Sequence, residues 1–401
     1  MISTKNTWLP PNDTTPTCHV SRATCNTVNI LALLTDAFGG RGGIAKFNRD
    51  LCRALSAEPL AAQVTALPRL APVEPIEHVP PRVDYRPGAS GSKVAYAWHV
   101  LRQTLNPQPP TFDAVICGHI NLLPVAAPAA WMQGAPLLLV LHGIDAWTPH
   151  DSGIVRTLLP QVDRFVTVSQ HTKTRFLEWA PLRAEQGRVV PDCIDPDAYS
   201  PGPKRDALLE RYGLRGRTIL LTLGRLSSDE QYKGHDEVLE VLPDLAEKVP
   251  DVAYLVCGDG NDRPRLERKA ERLGMSDRVV FAGYVPEEEK EDHYRLADAF
   301  VMPGWGEGFG IVYLEAMACG VPVVASCADA SREAVRNGRL GTVVDPDDLN
   351  SVRAGILKAL RAPHGVPDDL DYFSVERFRE RWHDVVEACL QDFPSAVTAG
   401  V

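Results

Sequence analysis

The sequence has no close cysteine pairs: its nine cysteines, at positions 18, 25, 52, 117, 193, 257, 319, 327 and 389, are odd in number, scattered and free of any CxxC. That argues against a disulfide framework, and against structural zinc, whose ligands come in close pairs around one tetrahedron; it fits a reducing compartment. An excess of positive charge is also missing. With 42 Lys and Arg against 52 Asp and Glu, the formal net charge is −10. Nucleic-acid binding draws mainly on cations that neutralise phosphates, so no nucleic-acid partner is expected and any phosphate site must be local. No apolar run approaches the ~20 residues needed to span a bilayer, and residues 1–26 are polar and proline-bearing, without the apolar segment of a signal peptide. A cytoplasmic location is expected. Peripheral association with the inner face of a membrane stays open, although no strongly basic amphipathic helix advertises it.

What is present is enough chain for two cores. At 401 residues, with 44% hydrophobic and 23% charged residues, the composition suits two soluble domains and therefore a cleft. Residues 1–27 read as a flexible leader. From Val28, VNILALLTD reads as a buried strand, residues 39–43 (GGRGG) as a glycine turn, and IAKFNRDLCRAL as a helix. Further strand-like runs at 113–119, 136–143, 163–170 and 188–195 complete a first domain over 28–197. A second series over 198–373 has strands near 218, 253–260, 278–285, 298–304, 321–326 and 341–345, alternating with helical patterns at 236–248, 262–273, 286–297, 310–319 and 349–361. Both halves are predicted to be α/β, with doubly wound parallel sheets covered on both faces. The stretch 374–391 begins with Ser374 as a cap and reads as a helix packing back towards the first domain.

In open parallel sheets ligands bind beyond the C-terminal strand ends, which places Asp36, Gly118, His142 and Ser169 on one rim. In the second half, Glu307 and Glu315 stand with seven residues between them across a glycine turn entering a helix. Two readings are open. The helix start holds a diphosphate while Glu315 accepts hydrogen bonds from a ribose, or the glycines merely turn the chain beside two solvated carboxylates. Arg225, directly after a strand, and Lys233, in the next loop, offer two cations for a diphosphate, and exposed loop cations are the plainer alternative. His142 at a strand end is suited to a sugar hydroxyl or to structure alone. Asp113, Asp145 and Asp195 are read as serving turns and caps.

Taken together, GRLSSDEQYKGHDEVLE, YLVCGDG, VVFAGYVPEEE and EGFGIVYLEAMACGVPVVAS resemble, in order and spacing, the family 4 glycosyltransferases, retaining enzymes of the GT-B fold with two facing Rossmann-like domains. The resemblance runs from Val28 to about Leu390. It implies a catalytic centre of Glu307, His142, Arg225 and Lys233. It also implies a donor site in which Arg225 and Lys233 meet the diphosphate, backbone at Val285 meets the base, Glu315 meets the ribose, Glu307, Gly308, Phe309 and Gly310 lie against the transferred sugar, and Gly42 and Gly43 approach the phosphates. The interval from Arg225 to Lys233 is longer than the shortest form of the motif. The acceptor-facing residues match nothing that can be carried over.

The reaction expected is hexosyl transfer from a nucleotide sugar to a glycan or lipid-linked oligosaccharide in surface polysaccharide assembly. YKGHD inclines the donor to GDP-mannose, with UDP-glucose or another UDP-hexose next. Cations and helix starts would stabilise the departing diphosphate, so neither metal nor other cofactor is expected, and attack from the leaving-group face is preferred to a covalent intermediate. A sugar-nucleotide epimerase or a non-catalytic sugar-nucleotide-binding protein are the rival readings. An NAD-dependent dehydrogenase would need a GxGxxG pattern that GGRGGI does not supply.

Overall fold

The computed structural model describes residues 27–70, 77–88, 92–106 and 111–393. Nearly all of the expected leader, with Cys18 and Cys25, lies outside the described residues.

Two all-parallel sheets form the chain. The first contains β1 (Asn29–Leu34), β2 (Gln63–Pro68), β3 (Val83–Tyr85), β4 (Ala114–Cys117), β5 (Leu137–Leu141), β6 (Arg164–Thr167) and β7 (Gly187–Val189), in the order β3-β2-β1-β4-β5-β6-β7. The second contains β8 (Thr218–Leu223), β9 (Val252–Cys257), β10 (Val279–Gly283), β11 (Ala299–Val301), β12 (Val323–Ser326) and β13 (Thr342–Val344), in the order β10-β9-β8-β11-β12-β13. The central strands are unbroken apolar runs, Ile30 to Leu34 and Leu137 to Leu141 among them, because helices cover both faces and leave no solvent side on which alternation would register. Strand order reverses between β1 and β4 in one sheet and between β8 and β11 in the other. Connections leave such a point in opposite directions and open a crevice at the C-terminal strand ends. The loop 39–43 follows β1, Lys233 follows β8 and Glu307 follows β11, so both switch points carry site residues.

Three elements between residues 57 and 112 were not anticipated: β2, the short β3, and the helix Lys93–Leu105. The C-terminal helix, Val375–Asp392, starts with Ser374 Oγ accepting from Arg377 N at 3.3 Å. It lies on the first-domain helix Gly43–Ser56, where Phe47 meets Phe378 at 5.6 Å and Trp382 at 6.3 Å between ring centroids. Both rings are fully buried, and truncation of either to alanine is expected to cost about 3–5 kcal/mol. A second tie is electrostatic: Glu333 of the second domain accepts from Gln170 N and His171 N, each at 2.7 Å, and so caps a first-domain helix, Gln170–Leu177.

Candidate active site in the cleft

Three strand ends of the second sheet are laced together by backbone. Gly224 N donates to Cys257 O at 2.9 Å and Gly258 N to Gly283 O at 2.8 Å. Gly258 has φ +139°, and a Cβ there would lie 1.8 Å from Gly224 O, so only glycine allows this approach. The Lys233 turn is clamped onto the segment after β11, since Trp305 N donates to Tyr232 O at 2.8 Å. Lys233 Nζ thereby sits 3.3 Å from Glu307 Oε2, with 14% of the lysine side chain exposed. Burial pulls the ammonium pKa down, but Glu307, Tyr232 and Glu230 together outweigh it and hold the pKa above its ordinary value. The longer interval before Lys233 therefore still delivers it to the glutamate.

Glu307 is itself braced by Asp329, whose Oδ2 accepts from Glu307 N at 2.8 Å; burial raises the Asp329 carboxyl to about 6. After it, Gly310 takes a left-handed φ of +91° and opens the helix Ile311–Ala318, whose first amides have no partner within the helix. Glu315, on this helix, is completely buried. Its Oε2 accepts from Tyr294 Oη at 2.7 Å, while Oε1 has no partner. A buried carboxylate oxygen left bare is costly unless a ligand hydroxyl completes it. The alternative of two solvated first-turn carboxylates is thus excluded for Glu315.

Two of the expected site residues are placed differently from the rest. Phe309 does not face the cleft: its ring is buried against Phe373 at 5.5 Å, so only its backbone borders the site. Arg225 does not converge on Glu307 with Lys233, because its side chain is 78% exposed and paired with Glu230. Val285 is buried just after Gly283 and Tyr284 at the end of β10, which leaves backbone as the part it can offer to a base.

From the first domain, His142 donates from Nε2 to Gly118 O at 2.8 Å, with its ring against Phe47. Burial lowers its pKa to about 4, with the Gly118 bond opposing. The imidazole is therefore neutral at pH 7, with Nδ1 left as an acceptor. Asp145 Oδ1 accepts from His142 N at 3.1 Å, the turn-stabilising role expected of it. Asp195 does likewise for Asp197 N, whereas Asp113 accepts from Asn29 N at 2.8 Å and so ties the start of β4 to that of β1 instead of serving a turn. Ser169, expected on the rim, is a fully buried helix cap bonded to Thr172. Asp36 is held by Ala37 N at 2.7 Å. Gly42, at φ +94°, and Gly43 have nothing within 4 Å of a built Cβ, so open space lies above them.

The two halves of the site touch. A Cβ on Gly308 would lie 2.1 Å from His142 O, and one on Gly143 would lie 2.5 Å from Gly308 Cα. The glycine loop of one domain is in backbone contact with the histidine turn of the other.

Several cleft residues were not anticipated. Lys46 Nζ, near the start of the helix Gly43–Ser56, is 2.8 Å from Asp50 Oδ2 and 3.4 Å from Cys193 O. Asp192 is raised to about 7 by burial; Lys46 draws it down, while Asp50, Glu307 and Glu315 push it up. The only signal in the sequence was the strand end at VVPDCID. Arg41, within loop 39–43, lies over the exposed Tyr284 ring at 5.3 Å, a cation–π contact across the cleft. Among the described residues no cluster of His, Cys, Asp and Glu is placed to hold a metal ion.

Comparison with known proteins agrees with this geometry. The profile for Glycosyltransferase Family 4 matches residues 41–198, and that for Glycosyl transferases group 1 matches residues 205–374. The GDP-mannose-dependent alpha-(1-6)-phosphatidylinositol monomannoside mannosyltransferase of Mycolicibacterium smegmatis is 38% identical over 264 residues, 63% of this chain and 68% of that protein. The chain is a family 4 glycosyltransferase. A phosphatidyl-myo-inositol mannosyltransferase of Mycobacterium tuberculosis is 39% identical over 202 residues, half of each chain. Among solved structures, Anabaena HepE in complex with UDP and glucose superposes with a TM-score of 0.69 at 22% identity, covering 90% of this chain and 99% of that one. The glycosyltransferase thus has the GT-B architecture of two facing Rossmann-like domains.

Proposed function

We propose that this glycosyltransferase moves a mannosyl group from GDP-mannose to a lipid-linked acceptor, with retention of configuration and without a metal ion. The observation that carries it is the meeting of Lys233, Glu307 and the His142–Gly143 turn at one point of the cleft. The mannosyl donor and the lipid acceptor are supported by relatives whose names give GDP-mannose and phosphatidylinositol derivatives. Assembly of a surface polysaccharide is one setting for such a step.

In this reading the donor lies on the second domain. The bare Oε1 of Glu315 takes a ribose hydroxyl, the backbone around Val285 meets the base, and the diphosphate faces Lys233 and the first amides of the helix Ile311–Ala318. Negative charge grows on the diphosphate as the anomeric bond breaks, and preorganised cations and amides stabilise it there. Arg225 joins by exchanging Glu230 for phosphate, its own side chain being 78% exposed and able to swing towards the donor. Glu307 and the neutral His142 orient the sugar. The acceptor attacks from the leaving-group face and its proton passes to the departing phosphate. Gly42 and Gly43 leave room for the phosphates, and contact between Gly308 and Gly143 excludes water.

The test is thermal stabilisation by GDP, UDP, ADP and dTDP and their sugar conjugates, followed by turnover of the donor that stabilises most on phosphatidylinositol and its mannosides. Ligand that binds only the folded state raises its melting temperature, by about 2.7 kcal/mol of stability at 100 times Kd. GDP and GDP-mannose are expected to stand out. Selective stabilisation by UDP would replace the mannosyl reading by a UDP-hexose one, and product of inverted configuration would overturn retention.

A further inference from the structure

From the end of β12 the chain runs SCADASREAV, with two acids that the sequence reading passed over: Asp329 just before the short helix Ser331–Ala334, and Glu333 within it. Asp329, Ala330 and Ser331 are completely buried. Ser331 Oγ ties the turn to the end of β12, accepting from Ser326 N at 3.0 Å and donating to Ser326 O at 3.3 Å. The Asp329 oxygens divide between two amides. Oδ1 accepts from Ser331 N at 2.9 Å, and Oδ2 from Glu307 N at 2.8 Å, 22 residues away in sequence. Ala330 N completes the hold from the other side by donating to Glu307 O at 3.1 Å. Finishing the turn needs only the Ser331 bond; the second oxygen is committed to the backbone of the residue whose carboxylate pairs with Lys233. Hydrogen bonds from amides to an ionised carboxylate are short and strong, so this one fixes where the Glu307 side chain starts.

The same short helix reaches the other domain. Glu333 accepts from Gln170 N and His171 N, each at 2.7 Å. On the far side of the clamp, Gly308 directly follows Glu307 and meets the His142–Gly143 turn. Residues 329–333 therefore bear on Glu307 at one end and on the first domain at the other. Charge matters to this hold, because two N–H groups need two acceptor oxygens and the ionised Asp329 supplies both. A neutral carboxyl, like the amide of asparagine, turns a donor towards one of them and releases either Glu307 or Ser331. The titratable groups that face Asp329 are Glu307, Tyr313 on the helix Ile311–Ala318 and Cys327 on its own segment, with Lys233 behind Glu307. Burial raises the Asp329 carboxyl to about 6, so it is ionised at pH 8 and mostly protonated at pH 5.

We propose that Asp329 is a positioning residue for the transfer: together with Glu333 on the same segment, it sets the Glu307 carboxylate at the distance from the first domain that the reaction needs. This rests on the reading of Glu307 as a residue that orients the sugar. The experiment measures kcat and KM with GDP-mannose and phosphatidylinositol from pH 5 to 8, and GDP affinity by calorimetry. It compares the wild type with Asp329→Asn, Glu333→Ala, the double variant and Glu307→Gln. Asp329→Asn is expected to lower kcat about tenfold at pH 8 with GDP affinity nearly unchanged. The difference should narrow to about twofold at pH 5, where the wild type carries the same neutral group. Glu333→Ala should lower kcat in the same direction, and should add less than its own effect on top of Asp329→Asn. A ratio between wild type and Asp329→Asn that does not change with pH overturns the proposal, as do strictly additive effects. Should Asp329→Asn fail to fold, Glu333→Ala decides, and wild-type kcat in that variant overturns it. Failure of the sugar reading shows separately, as unchanged turnover in Glu307→Gln. Without any turnover of GDP-mannose, hydrogen exchange over residues 304–312 still tests the hold on Glu307: faster exchange is expected in both single variants, and unchanged exchange overturns the proposal.

Discussion

Gly308→Ala tests whether the two domains must meet at backbone distance. Gly308 lies outside the left-handed φ region, so alanine meets no intrinsic strain there; its methyl would lie 2.1 Å from His142 O, whereas real Cβ contacts begin near 3.0 Å. The two loops must part by about 0.9 Å. A displacement near 1 Å in an aligned site costs about 10²-fold in rate, equivalent to about 2.7 kcal/mol of barrier. The clash is with the other domain, so the fold of each half is spared. The donor lies mainly on the second domain, and GDP affinity is expected to change by less than about fivefold. The assay is kcat and KM with GDP-mannose, with GDP affinity by calorimetry and a melting curve. The expected pattern is a fall in kcat with nearly unchanged GDP binding and melting temperature. Gly310→Ala supplies the contrast: at φ +91° and 2.6 Å from the Tyr313 ring it should lower the melting temperature itself. Turnover by Gly308→Ala within threefold of wild type would refute the requirement for contact.

Glu315→Gln removes charge from a fully buried carboxylate with one bare oxygen, and GDP affinity is expected to fall by about tenfold or more; unchanged calorimetric affinity would place the ribose elsewhere. Arg225→Ala should weaken GDP binding about tenfold in calorimetry, because the guanidinium, 78% exposed, is free to reach a phosphate; unchanged affinity would remove it from the donor site. Activity should persist in excess EDTA, and loss restored by manganese or magnesium would sink the metal-free mechanism. Asp192, raised to about 7 and facing Lys46, Asp50, Glu307 and Glu315, keeps a proton in the fold that the unfolded chain gives up near its ordinary value of 3.8. Its contribution to stability is thus full at low pH and is lost as pH rises towards 7. Asp192→Asn is therefore expected to gain melting temperature relative to wild type between pH 5 and 8, the histidines cancelling in the comparison; a constant difference would contradict the shift.

Most of both sheets could be read from sequence because parallel strands buried on both faces are continuous apolar runs that end in glycine or polar residues. The second half read best, since its strands and main helices are separated by turn residues. The region from residue 57 to 112 did not read: β2 ends on Pro68, β3 has three residues, and the helix Lys93–Leu105 shows no single apolar stripe because both of its faces are apolar. Within the site, His142 stood out at a strand end, Lys233 and Glu307 in the loops that follow strands, and Glu315 by its spacing from Glu307. Asp192 and Lys46 did not, because nothing local distinguishes them from solvated charges.

By itself, then, the sequence determined the fold class, the alternation of elements and the strand ends at which polar residues gather, since periodicity, glycines and caps are local properties of the chain. Only the tertiary structure decided which of those residues meet. Residues 74 apart in sequence, Lys233 and Glu307, pair at the switch point of one sheet, and Arg225 does not join them. Gly143 and Gly308 come into backbone contact because the Val375–Asp392 helix and Glu333 hold two separately folded domains face to face. Burial does the rest: it is set by everything packed around a group, and it decides that Glu315 is fully enclosed with one oxygen bare, that His142 is a neutral acceptor and that Trp98 is an exposed ring.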